Sequence, residues 1–244
     1  MQSSYGPDLA AIHHAGFSDF VRGAAPGVLA ALRKAGVGSG SVIDLGCGTG
    51  AWALELSRRG YAVLGVDASA AMIRIARRVA PKATFRRSSL DAVRLPPCDA
   101  VTALGEVLSY VPRHTRRPTV RRWFQRIARA VRPGGMLIFD VLVTGGTPMR
   151  YRSWHSGEDW LVVIDVSEDR ERHVLVRRIT TFVRRGRSYR RSDERHVLCV
   201  YRPAALVADL RATGFSVTTA RRYGDFTLAE RRLAVFARRQ RSTS

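Results

Sequence analysis

The chain has 244 residues, which suits one α/β domain with an insertion. Its net charge is +21, and Lys34 and Lys82 are the only lysines among its 41 basic residues. The arginines are spread through every segment instead of forming one basic tract. This pattern indicates a generally basic surface and disfavours a dedicated nucleic-acid site.

Compartment and membrane association can be judged from the apolar runs and the cysteines. Arginine or proline interrupts every apolar stretch, so none reaches the length of a membrane span. Residues 1–16 lack the basic start and apolar core of a signal peptide. Cys47, Cys98 and Cys199 are odd in number and far apart, unlike a disulfide framework or a metal cluster. We therefore expect a cytoplasmic, reduced protein with no membrane partner.

Helical patterns come first in the chain. Leu9, Ile12, His13 and nearby aromatic residues recur at near-helical spacing, and residues 26–32 predict a second helix.

A glycine-rich stretch follows. The apolar residues 42–45 enter a turn with glycine at every second position, Gly46, Gly48 and Gly50, and an amphipathic run follows at 51–59. The pattern predicts a buried strand, a tight turn and a helix. Glycine suits such a turn because the backbone bends sharply and a ligand can come close to it. The spacing matches neither the dinucleotide fingerprint nor the Walker loop.

A second apolar strand, residues 62–66, ends in Asp67. A carboxylate at the tip of the second parallel strand can accept both hydroxyls of a ribose, so Asp67 is a candidate ribose ligand. The sequence Asp-Leu-Gly-Cys-Gly-Thr-Gly at 44–50, followed by Gly-Val-Asp-Ala-Ser at 65–69, resembles motif I and its successor. These motifs belong to the class I S-adenosylmethionine (SAM)-dependent methyltransferases.

The resemblance implies a fold, a cofactor and a set of binding residues. The fold is α/β, with a Rossmann-like seven-stranded, mostly parallel sheet, and the cofactor is SAM, which leaves as S-adenosylhomocysteine. The implied cofactor-binding residues are Asp44, Gly46, Cys47, Gly48, Gly50, Asp67, Ala68, Met72 and Gly105, with Ala68 and Met72 at the adenine face. The adenine amino group would meet Asp91 or, alternatively, the backbone of Ser89 and Leu90. In such enzymes an N-terminal segment folds over the cofactor, which makes Tyr5, His13 and His14 candidate site residues.

The fourth strand is predicted at residues 98–104, and residues 105–110 lie at its carboxyl end. Ligands bind at that edge of an open parallel sheet. Glu106 is therefore a candidate functional acid, because a carboxylate there needs a partner, and Tyr110 is a candidate acceptor contact. The Arg-Pro-Gly-Gly sequence at 132–135 resembles the turn before strand five, which is predicted at 136–143.

Residues 145–201 depart from the minimal fold. Their β-rich segments, 160–166, 173–183 and 188–201, predict an antiparallel insertion between strand five and the last crossover helix, 203–212. Either this is a lid over the acceptor or a solvent-facing sheet whose arginines protect its edges. Its aromatic and histidine residues favour a lid. The predicted division is therefore a core with an N-terminal helical cover, residues 1–144 and 202–244, and a lid, residues 145–201.

The predicted function is methyl transfer from SAM to an O or N nucleophile of a small molecule by in-line displacement. A general base helps only if the acceptor must lose a proton. The candidate bases are Glu106, His13, His155 and His196. The candidate acceptor contacts are Tyr5, Tyr110, Trp154, Trp160, Arg178 and Tyr189. The arginines of the lid suit an anionic acceptor, and the aromatic residues of the lid suit an aromatic acceptor. No metal is expected, since the acids and histidines lack ligand spacing.

Two alternatives stay open. Residues 105–108, Gly-Glu-Val-Leu, differ from the Asn/Asp-Pro-Pro-aromatic tetrapeptide expected for methylation of adenine or glutamine nitrogens. An RNA or protein methyltransferase that uses the basic surface is nevertheless one alternative, and a non-catalytic SAM-binding protein is the other. The acceptor, the base and the choice between monomer and homodimer are also open.

Overall fold

The computed structural model describes residues 5–16, 18–110 and 118–241. Its helices are α1 (Pro7–Gly16), α2 (Ser18–Lys34), α3 (Ala51–Arg58), α4 (Ala70–Val79), α5 (Pro118–Ala130) and α6 (Pro203–Arg211). Its strands are β1 (Gly40–Leu45), β2 (Tyr61–Asp67), β3 (Thr84–Arg87), β4 (Cys98–Ala103), β5 (Val131–Leu142), β6 (Arg150–Ser156), β7 (Trp160–Asp169), β8 (Val174–Arg185), β9 (Ser188–Cys199), β10 (Phe215–Ala220), β11 (Arg222–Tyr223), β12 (Phe226–Thr227) and β13 (Arg232–Arg239).

A seven-stranded sheet in the order β10-β13-β5-β4-β1-β2-β3 forms the centre of the fold. Strands β1 to β5 pair in parallel, whereas β13 runs antiparallel to both β5 and β10. This confirms the predicted Rossmann-like, mostly parallel sheet. Because parallel strands end at the same edge, β1, β2 and β4 bring the glycine turn, Asp67 and residues 104–110 together.

Helices cover both faces of this sheet. On one face α2 and α3 contribute Leu29, Leu32 and Leu56 to the core. On the other face α5 and α6 contribute Phe124 and Leu210, among others. Burial on both faces explains why the central strands are mostly apolar and lack an alternation of polar and apolar residues.

The second helix is longer than its sequence pattern predicted. It begins at Ser18, so that Pro26 lies inside it and does not start it. Proline favours the first turn of a helix, and this preference placed the predicted start at residue 26. Val21 and Ala25, which precede Pro26 and pack in the core, extend the buried face of the helix toward its N-terminus. Tertiary packing thus overrides the local preference.

The insertion between β5 and α6 is a four-stranded antiparallel sheet in the order β6-β7-β8-β9, which we call the lid sheet. The sequence predicted its last three strands but not β6, because that edge strand is exposed along almost its whole length and shows no apolar alternation. Residues 132–135, expected as a turn, belong to β5, which shifts register against β4 between Cys98 and Ala100. The division into a core and a lid stays a prediction.

Among the described residues, we find no helix that combines the length and the hydropathy needed to cross a membrane.

Candidate functional site

The glycine turn joins β1 to α3 at the edge of the sheet. Gly46, Gly48 and Gly50 all have positive φ, of 63°, 52° and 82°. A Cβ atom on Gly46 would lie 2.5 Å from both γ-carbons of Val107, so only glycine fits there. A Cβ atom on Gly48 would have its nearest neighbours, the Gly46 carbonyl oxygen and His13 Cε1, at 4.0 Å. The turn is therefore tightly packed where Gly46 faces Val107, and it is open on the side where a Gly48 Cβ atom would point, which we call the open face of Gly48.

Asp67 is tied to this turn. Its Oδ2 accepts a hydrogen bond from the Gly48 amide at 3.0 Å, and its Oδ1 accepts one from the Ser69 amide at 2.8 Å. Burial raises the pKa of Asp67, and these amide donors partly offset the rise. Ser69 caps α4, since its hydroxyl accepts from the Met72 amide. The carboxylate is thus fixed beside the open face of Gly48, and its ribose role stays a prediction.

Asp44 lies buried beneath the turn. Its Oδ1 accepts from the Thr102 hydroxyl at 2.9 Å, and the Thr102 oxygen accepts from the indole nitrogen of Trp52 at 3.1 Å. Burial raises the pKa of Asp44 to about 7, and the charge of Asp67 adds to the rise. Burial also raises the pKa of the Cys47 thiol. Both residues therefore support the turn from within.

The predicted adenine side has its own contacts. Met72 is buried with Ala10 and Ala71 between α1 and α4. Asp91 accepts from the Trp123 indole at 2.6 Å, and Arg126 donates to the Leu90 and Asp91 carbonyls at 2.8 Å. These bonds hold the loop after β3 in place. The adenine roles of Ser89, Leu90, Asp91, Ala68 and Met72 stay predictions.

Glu106 follows β4 with a positive φ of 64° and is only 1% exposed. Its Oε2 lies 2.8 Å from Arg177 Nη2 of the lid sheet, and its Oε1 pairs with Arg232 Nε at the start of β13. Burial alone would raise the pKa of Glu106, but the two guanidinium charges outweigh it and hold the pKa below its usual value. This arrangement suits an anchor for the lid better than a proton acceptor, and the predicted catalytic role stays untested.

The strained backbone at Glu106 is held by Asp140 on β5. Asp140 accepts from the Gly105 amide at 2.7 Å, the Glu106 amide at 3.0 Å and the Tyr223 hydroxyl at 3.0 Å. A non-glycine residue in the left-handed region costs roughly 1–3 kcal/mol and persists where neighbouring bonds enforce it. Asp140 supplies those bonds.

Four predicted site residues meet in what we call the ring cluster, which consists of Tyr5, His13, Tyr110 and His196. The Tyr5 and Tyr110 hydroxyls are 3.0 Å apart, and the Tyr5 ring centroid lies 5.2 Å from that of His13 and 5.0 Å from that of His196. The Tyr110 and His196 centroids are 5.6 Å apart. Since His13 also lies beside Gly48, the cluster is continuous with the open face of the glycine turn.

The ring cluster has a carboxylate neighbour, Glu194, and a second carboxylate, Asp8, joins α1 to the lid sheet. Sequence reasoning assigned neither to the site. Glu194 Oε2 lies 2.8 Å from His196 Nε2, and the same carboxylate accepts from the Tyr5 and Gly6 amides at 2.7 and 2.8 Å. Asp8 accepts from Arg190 Nε at 2.8 Å and from the Ser192 hydroxyl at 3.3 Å. The one available signal was the two-residue spacing of Glu194 and His196, which places both on one face of a strand.

Helix α1 fills the space between the glycine turn and the lid sheet. Leu9 and Ile12 pack against Val162 and Ile179 of β7 and β8. The Tyr5 carbonyl accepts from the Ser69 hydroxyl at 2.7 Å, which joins the same segment to the cap of α4. The N-terminal segment therefore touches the cofactor side and the lid at once.

Other predicted acceptor contacts lie elsewhere. Trp154 is 67% exposed, and His155 is exposed beside it on the edge strand β6. Tyr189 is exposed, and Arg178 faces Asp165 on the outer side of the lid sheet. Trp160 is half-buried and packs against the apolar cluster that Leu9 and Ile12 of α1 form with the lid sheet. Trp160 thus packs on the same apolar cluster as Tyr5, whereas Trp154, His155 and Tyr189 lie on the surface. Arg177, the register partner of His196, takes the inward position instead of Arg178. Their roles stay predictions.

No group of three or more histidine, cysteine or acidic side chains in residues 5–16, 18–110 and 118–241 is arranged to hold a metal ion.

Comparisons with known proteins agree with this geometry. A family model described as a methyltransferase domain matches residues 42–135. A protein of Geobacillus sp. (strain WCH70), whose name assigns it to the methyltransferases, is 30% identical over 198 residues, or 74% of this chain and 75% of the relative. The ubiquinone biosynthesis O-methyltransferase of Alkalilimnicola ehrlichii is 33% identical over 108 residues, 41% of either chain.

Two solved structures share the fold over nearly the full length. The sugar N-methyltransferase KedS8 from Streptoalloteichus sp. superposes with a TM-score of 0.79 at 22% identity and covers 98% of each chain. The amino pentose methyltransferase CalS10 from Micromonospora echinaspora superposes with a TM-score of 0.74 at 20% identity and covers 98% of this chain and 99% of its own.

Proposed function

This chain belongs to the class I SAM-dependent methyltransferases, and we propose that it methylates an O or N nucleophile of a small molecule held between α1 and the lid sheet. The reaction uses SAM and releases S-adenosylhomocysteine. When bound, SAM supplies a methyl group that its sulfonium already activates. The protein must then align the nucleophile and exclude water.

The main support for this proposal is that the N-terminal segment and the lid sheet together cover the ring cluster. Tyr5 and His13 come from the N-terminal segment, while His196 comes from the lid sheet and is 1% exposed. The Tyr5 backbone is bonded to Ser69 on one side and Glu194 on the other. A small molecule can be enclosed beneath such a cover, whereas a nucleic acid or protein surface has no path to buried rings.

The residues at the sheet edge fit the cofactor. The space in front of Gly48 admits a close approach, and the buried Asp67 carboxylate is fixed next to it. We assign Asp67 to the ribose hydroxyls and residues 46–48 to the amino-acid part of SAM, since the backbone there lacks Cβ obstruction. The ring cluster would then face the methyl group, because Tyr5 and His13 border the same turn.

The two full-length structural neighbours support a small acceptor. One is a sugar N-methyltransferase and the other an amino pentose methyltransferase. Their likeness extends through the residues of the inserted sheet, where acceptor recognition is expected. We therefore favour a polar small molecule of this kind over a macromolecule.

The test is methyl transfer from labelled SAM, run side by side on a small-metabolite extract, total RNA, DNA and total protein. We expect label in the small-metabolite fraction only, and much less of it from an Asp67→Ala variant when SAM is held near the affinity of the wild type. Label in RNA or protein that persists at about 0.15 M salt, where weak non-specific contacts are screened, would contradict the proposal.

A further inference from the structure

We propose that Glu194 and His196 form a carboxylate–imidazole pair that takes the proton of the acceptor, so that the methylated group is an amine or a hydroxyl and not a carboxylate. This inference rests on the proposed function and assigns a residue and a substrate class to the same site.

The pair is defined by one hydrogen bond and one vacant nitrogen. His196 Nε2 lies 2.8 Å from Glu194 Oε2. Its other ring nitrogen, Nδ1, is buried and has no hydrogen-bond partner among the described residues. Leaving a buried polar atom without a partner costs stability, so such an atom calls for an explanation. An acceptor that donates its proton to Nδ1 provides one.

The tautomer follows from the partners of Glu194. Burial would raise the pKa of this carboxyl, but the bonds from His196, Gly6 and Tyr5 outweigh it and hold the pKa below its usual value. Glu194 is therefore ionised and accepts a proton-bearing Nε2. Nδ1 is then left with its lone pair, the form that a general base requires.

The vacant nitrogen lies among the groups expected around an acceptor. The His196 ring packs against the rings of Tyr5 and Tyr110, and Arg177 stands opposite it in register on β8. Burial raises the pKa of both tyrosines, so their hydroxyls keep their protons and can donate to an acceptor oxygen or nitrogen. The charge of Arg177 is matched by Glu106. Because Glu106 is taken up by Arg177, Glu194 is the carboxylate available to pair with His196.

The other candidate bases are less suited to the step. Both Glu106 oxygens face arginines. For His13, burial and the charge of His14 lower the pKa to about 4, which disfavours its protonated form. His155 is exposed on the edge strand. Among the four, His196 combines a held carboxylate partner with a buried, vacant nitrogen.

The proposed step balances in atoms and charge. The nucleophile forms its bond to the methyl carbon, and the carbon–sulfur bond breaks with its electron pair staying on sulfur. The proton of the nucleophile moves to His196 Nδ1. The positive charge that the sulfonium carried ends on the imidazolium, beside the Glu194 carboxylate, and leaves when His196 returns the proton to solvent. A carboxylate acceptor is already ionised at neutral pH and would leave the pair without a task.

The experiment compares the wild type with His196→Asn, Glu194→Gln and the control His173→Asn, which alters a lid histidine outside the ring cluster. Calorimetry first checks that all four proteins bind SAM alike. Labelled SAM is then offered to amino sugars and small amines, to sugar and phenol hydroxyls, and to small carboxylic acids. We expect transfer to amines or hydroxyls only, and a loss of about 100-fold or more in kcat for His196→Asn near neutral pH, typical of a lost general base.

Two further measurements distinguish a catalytic role of His196 and Glu194 from a purely structural one. With an amine acceptor, the kcat of His196→Asn should recover as the pH is raised, because the amine then loses its own proton to solvent. Added imidazole should partly restore a His196→Gly variant with either class of acceptor. As a positioning residue, Glu194 should affect kcat more than KM, so Glu194→Gln should lower kcat by about 10-fold and move the pH profile.

Each contrary result has a distinct meaning. Transfer to carboxylic acids, or unchanged kcat and pH profile in His196→Asn, overturns the pair while leaving the proposed function intact. A wild type that binds SAM but labels none of the three panels, nor any small metabolite, overturns the proposed function and the pair with it. A nitrogen-15 spectrum showing the resting proton on Nδ1 overturns the assigned tautomer independently of turnover.

Discussion

The edge of the central sheet carries a buried carboxylate and the inner face of the lid sheet a half-buried one, and the two have different partners. At the sheet edge Glu106 lies between the guanidinium groups of Arg177 and Arg232. On the lid Glu194 is paired with the imidazole of His196 and with two backbone amides. A guanidinium stays charged at any relevant pH, so the first arrangement is a permanent ion pair. An imidazole can gain and lose a proton, so the second can take part in proton transfer.

Asp44, beneath the glycine turn, is a buried carboxylate with a third kind of partner. Asp44 has a hydroxyl and no cation as its hydrogen-bond partner, and burial raises its pKa to about 7. The three sites show that the partner decides what burial does to a carboxylate. Paired with cations it stays ionised and structural, paired with imidazole it can assist a reaction, and paired with a hydroxyl it tends toward its neutral form.

The largest expected effect comes from removing the carboxylate of the permanent ion pair. In Glu106→Ala two half-buried arginines lose their buried counter-charge, and breaking a buried ion pair costs up to about 3–5 kcal/mol in the free energy of unfolding. Urea denaturation measures this loss. The exposed Glu158→Ala variant is the matched control and should change stability by less than about 0.5 kcal/mol. A Glu106→Ala protein as stable as the control would show that the ion pairs contribute nothing.

The second prediction concerns Asp44 and has a defined dependence on pH. Burial, together with the charge of Asp67, raises the folded pKa to about 7 from 3.8. Between these values the folded protein holds a proton that the unfolded chain has released, so stability falls as the pH rises. Asp44→Asn keeps an acceptor oxygen for Thr102 and removes this penalty.

Asp44→Asn should therefore become more stable relative to the wild type as the pH rises from about 4 to 7, with a gain of up to about 4 kcal/mol from the shift in pKa. Thermal or urea unfolding across this range checks the prediction. A difference between the two proteins that stays constant with pH would mean that Asp44 titrates normally.

The third prediction separates the cofactor side from the lid. Asp67→Ala removes charge-assisted hydrogen bonds, each worth about 1.5–3 kcal/mol, so SAM affinity should fall at least tenfold. The lid variant Glu194→Gln should bind SAM as the wild type does. Calorimetric titration with SAM distinguishes the two. Equal affinity in Asp67→Ala and the wild type would show that the ribose lies elsewhere.

The contact between the glycine turn and Asp67 could be predicted because its signals are local in sequence. The glycine spacing and Asp67 belong to two consecutive strand ends, and their packing follows from the parallel sheet. The lid side depends on pairs that are distant in sequence, such as Tyr5 with Glu194, 189 residues away. Nothing local in the sequence gives such a pairing.

The histidines show the same limit. His155 and His196 both stand beside aromatic or charged residues, but only His196 lies in a predicted strand. The structure places His155 on an exposed edge strand and buries His196 against the ring of Tyr5, a difference set by strand order and phase within the lid sheet. A period of two fixes which residues share a face but not which face is covered. That choice emerges only from the tertiary structure.

The smallest expected effect is at Asp8, where a carboxylate joins α1 to the lid. Bonds from Arg190 and Ser192 hold the pKa of Asp8 below its usual value, although burial opposes them. Its contribution is present above the ordinary carboxyl pKa and is lost as the pH falls through the lower folded value. Asp8→Asn weakens the contact with partly exposed arginines, so amide exchange in α1 should quicken by a few-fold at neutral pH while global unfolding changes little. Asp19→Asn, at an exposed ion pair of α2, is the control. Exchange in α1 that is as slow in Asp8→Asn as in the control would show that apolar packing of Leu9 and Ile12 alone holds the cover.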